Sequence, residues 1–423
     1  MKRLDIGELD LGAIVRAGEQ IIWGQACAEP LTLTEALVEQ RARLGGVSVF
    51  MGSCFSSTFK PEHADHIRFE AFGAVGTSRK LSRAGVLDLL PCHVSRIGPY
   101  IEQGAIACEV AFVQVAPADA SGRYSLGLVS DYIRSAIRKA RVVVAEVNAR
   151  VPQVPCVEPL GPDEIDFLVE SDRPLIEVPA APVSDLDRAI AAIAQQYIPD
   201  RATLQVGIGA VPEAVMSLLR DRRDLGVHSG MVGDSVVELI ECGALTNACK
   251  ELDPGITITG ALIGTRRLFD FCHRNPAVRM HPTSYTHDIT VLAKLSRFIS
   301  LNSAVEVDLS GQVNAENAGG QYVGAVGGQV DYVRAAAISP GGCSMIALPS
   351  TAQDGAVSRI VGSLSGPVTT ARSDVDVVIT EFGAAELRGR NLRERGRALI
   401  GIAHPDHREA LERQWHANGA GRR

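Results

Sequence analysis

Residues 205–234 read QVGIGAVPEAVMSLLRDRRDLGVHSGMVGD, and this stretch decides the fold class. It has the pattern of a short buried strand, a turn through Gly207 and Gly209, a helix opened by Pro212, and a second strand running into the polar loop His228-Ser229-Gly230-Met231. Proline suits an opening helical position because it has no N–H to leave unpaired and its φ is preset. The glycines let backbone approach a ligand closely, although an ordinary strand-to-helix turn accounts for them almost as well. A strand, turn, helix and strand in this order belong to an open α/β sheet, whose ligands bind beyond the carboxyl ends of the strands.

The alternation continues outward on both sides. Toward the N-terminus, residues 20–23, 47–50, 106–117 and 141–147 read as strands, and residues 12–18, 34–40 and 130–139 as helices. Prolines 152, 155, 159, 162, 174 and 179 then mark an extended connection, because they oppose both a continuous helix and a central strand. This places the domains at 1–184 and 185–423. Toward the C-terminus, residues 256–262, 298–302, 305–309, 345–349 and 375–380 are strand-like, and Asp234 is positioned to cap the helix that follows it. Asn391 and Glu394 form a capping-box pattern, and His404-Pro405 would close the helix it opens. The remainder, 407–423, reads as a peripheral helix with a Gly-rich end.

Composition narrows the class. The chain has 423 residues, 46% hydrophobic and 22% charged, enough for a large core and more than one domain. Its net charge of −7 gives no support for nucleic-acid binding. The nine cysteines are scattered without a CxxC pair, which favours buried thiols over a metal cage or a disulfide framework. The first residues lack a secretory pattern and no apolar run approaches a membrane span, so a cytoplasmic protein is expected, with no membrane partner.

Several blocks occur in a defined order: Ala28-Glu29-Pro30, Ala145-Glu146-Val147-Asn148, the GIG turn, the HSGM loop, Gly311-Gln312-Val313-Asn314, GAVGGQVD at 324–331, and Ala403-His404-Pro405. Together they resemble the acetyl-CoA hydrolase/transferase family, that of the 4-hydroxybutyrate CoA-transferases, over nearly the whole chain. The resemblance implies two related open-sheet α/β domains of the NagB/RpiA/CoA-transferase-like fold, with a CoA crevice between them and a homo-oligomeric assembly. It further implies coenzyme A as part of an acyl-CoA substrate, a carboxylate acceptor where transfer occurs, and metal-independent chemistry. Gly207 and Gly209 are then expected at the CoA. Gly327 and Gly328 are expected to present backbone donors to a developing oxyanion. The AEP turn lies near the family's crevice, which makes Glu29 a candidate to position substrate or water; without the resemblance it reads as a solvated loop carboxylate.

One position departs from the family pattern. The nucleophilic glutamate of an HSEM or HTEM loop aligns with Gly230, which has no carboxylate to form a glutamyl-CoA thioester. Thioester hydrolysis is therefore the leading expectation. The alternatives are hydrolysis of a C–C bond next to a CoA thioester, CoA transfer through another residue, and binding without turnover. Other residues are read as structural. Arg79 belongs to a Gly- and cation-containing stretch without Walker spacing, Glu146 and Asn148 suit a hydrogen-bonded scaffold, and Asp270 can satisfy Arg266 and Arg267. His281 and His287 are six positions apart on a loop and specify no metal site, and His404 reads as local structure beside a proline bend.

Overall fold

Short strands, the central ones buried and rich in β-branched residues, build the first sheet. In the computed structural model, which describes residues 1–417, these are β1 (Lys2–Leu4), β2 (Gln20–Trp23), β3 (Val47–Met51), β4 (Ile67–Ala71), β5 (Leu87–Leu89), β6 (Val110–Val115), β7 (Val142–Asn148) and β8 (Phe167–Ser171). Their order is β1-β8-β7-β6-β2-β3-β4-β5, and every pairing is parallel. β6 and β7 are buried at every position, as strands covered on both faces of a parallel sheet must be. From β2 the chain runs outward through β3, β4 and β5, then returns at β6 and runs the other way through β7 and β8. The boundary between β2 and β6 is thus the topological switch point, where loops diverge and leave room for a ligand.

A second sheet repeats this plan. Those of its strands that belong to the second unit run in the order Gly226–Ser229, Thr203–Val206, Phe298–Asn302, Cys343–Ala347, Val377–Thr380 and Gly383–Glu386, parallel except for the last pair. The switch point here lies between Thr203–Val206 and Phe298–Asn302. The chain packs as two units: Met1–Pro179 with Gly230–Asp234 and Ile256–Asp288, and Ala180–Ser229 with Ser235–Gly255 and the residues from Ile289 onward. We propose 1–184 and 185–423 as the sequence domains alongside these compact units.

Several local expectations change in the folded chain. The proline-rich connection contains a full strand, β8, which pairs with both β7 and β1, because its prolines flank residues 167–171 rather than interrupt them. The helix after the GIG turn begins at Ala210, so Pro212 sits inside its first turn, where amides have no helical acceptor in any case. Asp234 starts the helix Asp234–Glu241, but its carboxylate accepts from Thr265 N (3.0 Å) and Leu268 N (3.1 Å), the opening of the helix Arg266–Cys272. His404 does not close a helix so much as separate two, since Leu392–Ile402 ends before it and Pro405–Ala417 follows. The Asn391–Glu394 capping box forms as read. Residues 418–423, the expected Gly-rich end, lie outside the described residues.

Candidate active site

In the first unit, Glu29 follows β2 at the switch point. The short 3-10 turn Ala26–Ala28 carries the chain off the strand, and Glu29 itself is 2% exposed. Its Oε1 accepts from Thr34 Oγ1 at 2.9 Å, while its Oε2 has no hydrogen-bond partner. Burial raises its pKa; the nearby hydroxyls of Ser56, Thr34 and Thr58 oppose the shift, and the Glu35 charge adds to it. Glu29 is therefore a dry carboxyl with one open oxygen, and the solvated-loop reading does not describe it.

The loops that hold it interlock. Gln114 on β6 reaches the Cys27 and Glu29 carbonyl oxygens, both at 3.4 Å, and accepts from Asn148 Nδ2 at 3.0 Å. Gln25 Oε1 accepts from Ser53 N at 3.0 Å, and Gln25 Nε2 donates to Asp131 Oδ2 at 2.5 Å. Gly52 is obligatory in this arrangement, for a Cβ there would lie 2.4 Å from Gln25 Cβ and 2.6 Å from the Tyr132 hydroxyl. Burial pushes Asp131 up to about 7 and Cys27 up to about 12, so at neutral pH the Cys27 thiol is no thiolate nucleophile. Glu146 is a scaffold residue: Thr32 N, Thr32 Oγ1 and Ser171 Oγ donate to it at 2.9, 2.8 and 2.7 Å. Gln25 and Asp131, 106 residues apart in sequence, left no local pattern by which to find them.

The half-buried Gly230 also belongs to the first unit. The segment it opens is stitched to residues 261–263, with Val232 N donating to Ala261 O (3.0 Å) and Ile263 N to Val232 O (2.9 Å). Those residues are tied in turn to the loop before Asp131, through Leu262 N to Leu128 O and Ser130 N to Gly260 O, each 2.8 Å.

The remaining candidates lie in the second unit. Gly207 and Gly209 follow Thr203–Val206 at that sheet's switch point, where Gly207 N donates to Leu301 O at 3.2 Å. A Cβ on Gly207 would meet nothing closer than 3.8 Å, whereas Gly209 has φ +132°, a conformation that side chains resist. Gly327 is left-handed at φ +61°, and Gly328 is the N-cap of the ten-residue helix Gln329–Ile338. Amides in such a first turn lack helical acceptors and carry the positive end of the helix dipole, the right polarity for an oxyanion. The approach to this loop is fixed by packing, since a Cβ on Gly324 would lie 2.2 Å from Ala315 O.

Residues set aside in the sequence are accounted for. Arg266 pairs with Asp270 at 2.6 Å, Arg79 is exposed and reaches only the Ala74 carbonyl at 3.4 Å, and His404 packs edge-on to Phe382. The His281 ring stacks on Tyr285 at 4.2 Å, and burial pushes His287 down to about 3. Among the described residues, no group of three or more His, Cys, Asp or Glu is gathered to hold a metal ion, and no helix is long and apolar enough to cross a membrane.

Two open α/β sheets, each with a glycine- or carboxyl-bearing loop at its switch point, define a two-domain enzyme of the CoA-transferase/NagB-RpiA-like superfamily. Residues 7–177 match the acetyl-CoA hydrolase/transferase N-terminal domain, and residues 264–415 match the C-terminal domain of the same name. The chain belongs to the acetyl-CoA hydrolase/transferase family and is an acyl-CoA-handling enzyme. It is 38% identical to the 4-hydroxybutyrate coenzyme A transferase of Clostridium kluyveri, covering 94% of this chain and 93% of that one. Among solved structures, RipA from Yersinia pestis is 32% identical with a TM-score of 0.93, covering 99% of this chain and 98% of that one. The 4-hydroxybutyrate CoA-transferase of Porphyromonas gingivalis is 33% identical with a TM-score of 0.84 and the same coverage, 99% and 98%.

Proposed function

We propose that the chain hydrolyses an acyl-CoA thioester without a glutamyl-CoA intermediate, with Glu29 as the base. The observation that carries this reading is a buried Glu29 with an unpartnered Oε2 in a unit whose loop position 230 has no side chain. A carboxyl whose pKa is raised by burial is better matched to proton transfer near neutrality than an exposed one. Glu29 takes a proton from water as the water oxygen bonds to the thioester carbon. Negative charge that develops on a carbonyl oxygen is held by backbone amides, and Gly327 and Gly328, at the opening of the helix Gln329–Ile338, are proposed as donors of that kind. The C–S bond then breaks, the leaving sulfur takes the proton from Glu29, and the products are a carboxylic acid and free CoA. Gly207 and Gly209 are assigned to close backbone approach by the CoA.

Transfer through another residue is the second reading, favoured by the near-full-length similarity to a CoA transferase. A cytoplasmic homo-oligomer, with an acyl-CoA and, for transfer, a carboxylate acceptor as its partners, completes the proposal. The test is product mass after incubation with a panel of acyl-CoAs, with and without carboxylate acceptors. Free CoA released without an acceptor is the expected result. A new acyl-CoA formed only with an acceptor would reject hydrolysis in favour of transfer. A shortened acyl chain that keeps its thioester would indicate C–C cleavage, and an unchanged ligand that nonetheless binds would indicate a protein without turnover.

A further inference from the structure

In the second unit, the loop 325–328 is held at both of its ends by one dipeptide, Thr369-Thr370. At the entering end, Val323 N and Gly324 N donate to the Glu316 carbonyl at 2.8 and 3.1 Å. The Glu316 carboxylate is buried, and its Oε1 accepts from Thr369 Oγ1 at 2.7 Å. The same hydroxyl accepts from Ala315 N at 2.8 Å, which fixes the backbone just before Glu316. At the leaving end, Gln329 opens the helix Gln329–Ile338, and its Nε2 donates to Thr370 Oγ1 at 2.9 Å. Gln329 is buried and Thr370 is fully so.

The dipeptide is itself tied down. Val313 N donates to Thr370 O at 3.0 Å, while Thr370 N and Thr369 N donate to Val313 O at 3.1 and 2.8 Å. Close packing leaves this segment no room to slide, since a Cβ on Gly366 would lie 2.5 Å from Asn314 Nδ2. The loop tip has no such support. Residues 324–328 are half-buried, and a Cβ on the left-handed Gly327 would meet nothing nearer than 4.0 Å. Where the tip lies, and which way its amides point, is therefore decided at the two ends.

From this arrangement we infer that Gln329, Thr369 and Thr370 are positioning residues, which set the span of the loop and aim the amides of Gly327 and Gly328. The inference rests on the reading of those amides as donors to the thioester oxygen and adds the side chains that hold them. Such donors work only at about 2.7–3.1 Å from the oxygen as it becomes charged. A shift of about 1 Å costs about 10²-fold in rate, so neutral side chains that never touch substrate still govern turnover.

The test compares wild type with Thr370→Val, Gln329→Leu, the Thr370→Val/Gln329→Leu double variant and Thr370→Ser. Ser339→Ala is the control at the other end of the same helix, where Ser339 Oγ accepts from Phe298 N at 3.1 Å. The readouts are kcat and KM for acyl-CoA hydrolysis, the unfolding midpoint, and amide hydrogen exchange over residues 323–333. Thr370→Val should lower kcat by about 10²-fold at unchanged KM, lower the midpoint and speed exchange over 323–333. Thr370→Ser keeps the hydroxyl and should restore most of the rate. The double variant leaves no buried donor unpaired, so it should regain midpoint while kcat stays low. Ser339→Ala should lose midpoint and keep kcat.

Recovery of kcat together with midpoint in the double variant would make the Gln329–Thr370 bond structural only and overturn the proposal. An equal fall of kcat in Ser339→Ala would overturn it too, because turnover would then follow stability. Unchanged exchange over 323–333 in Thr370→Val overturns the anchoring whether or not any acyl-CoA is converted. A wild type that converts no acyl-CoA sinks the hydrolysis reading by itself, and exchange in Thr370→Val still decides whether the threonine holds the loop.

Discussion

Replacing Asp131 with asparagine should abolish a pH dependence of stability carried by the first unit. Asp131 is 3% exposed; its Oδ2 accepts from Gln25 Nε2 at 2.5 Å and its Oδ1 from Ile133 N at 3.2 Å. Burial raises its pKa from 3.8 to about 7, with Gln25 and the Ile133 and Tyr132 amides opposing the shift. Between these values the folded chain holds a proton that the unfolded chain has released. The stability this proton contributes is complete below about pH 4 and is lost as the pH rises through about 7. At about 1.4 kcal/mol per pH unit, the loss over that window is about 4 kcal/mol. Asparagine carries no such proton, so the stability of the variant relative to wild type should rise by about that amount between pH 4 and 7. At the acid end the variant should be weaker by about 1–3 kcal/mol, because its single oxygen cannot accept from both Gln25 and Ile133. Urea unfolding between pH 4 and 8, followed by fluorescence in a Trp415→Phe background, reads this directly. The chain has two tryptophans, and the remaining one, Trp23, accepts the Tyr132 hydroxyl at 3.3 Å on its carbonyl. A difference between wild type and variant that stays flat with pH would refute the assignment of a bound proton to Asp131.

Three further outcomes follow from the site. Glu29→Gln keeps the oxygen that accepts from Thr34 but cannot take a proton, so hydrolysis should fall by about 10²–10⁴-fold with CoA affinity retained; a loss below tenfold in single-turnover assays removes Glu29 as the base. Gly230→Glu places a carboxylate where we propose that the nucleophilic glutamate is missing, and acceptor-dependent transfer should appear, with a glutamyl-CoA adduct visible by intact mass; no adduct with any acyl-CoA would show that the loop does not present position 230 to substrate. Gly324→Ala drives a Cβ to 2.2 Å from Ala315 O and should cost about 1–3 kcal/mol along with turnover, whereas Gly207→Ala, with 3.8 Å of clearance, should weaken CoA binding without lowering the unfolding midpoint. Equal unfolding midpoints for these two variants would contradict the packing described for the glycine loops.

Parts of the candidate site were legible as local structure, because their physics is local. The GIG turn, the HSGM loop and the glycines at 327 and 328 each combine a strand end with a conformation or a helix start that neighbouring residues specify. Glu29 was legible only as a position. Its burial comes from Gln114 on β6 and from the loop bearing Ser56 and Thr58, elements far from it in sequence. β8 was hidden because prolines on both sides mask a five-residue strand whose reason for pairing is a partner on each edge. Thr370, the partner of Gln329, gave no signal, being 41 positions away from it and brought to it only by the folded chain.

The sequence alone therefore determined the α/β class, the strand, turn, helix and strand over residues 205–234, and the absence of a carboxylate at position 230, since hydrophobic periodicity, turn residues and side-chain identity are written residue by residue. Tertiary structure decided which carboxyl is kept dry and which hydroxyl meets Gln329. Desolvation and hydrogen-bond pairing depend on atoms distant in the chain, and those distances are set only when the chain folds.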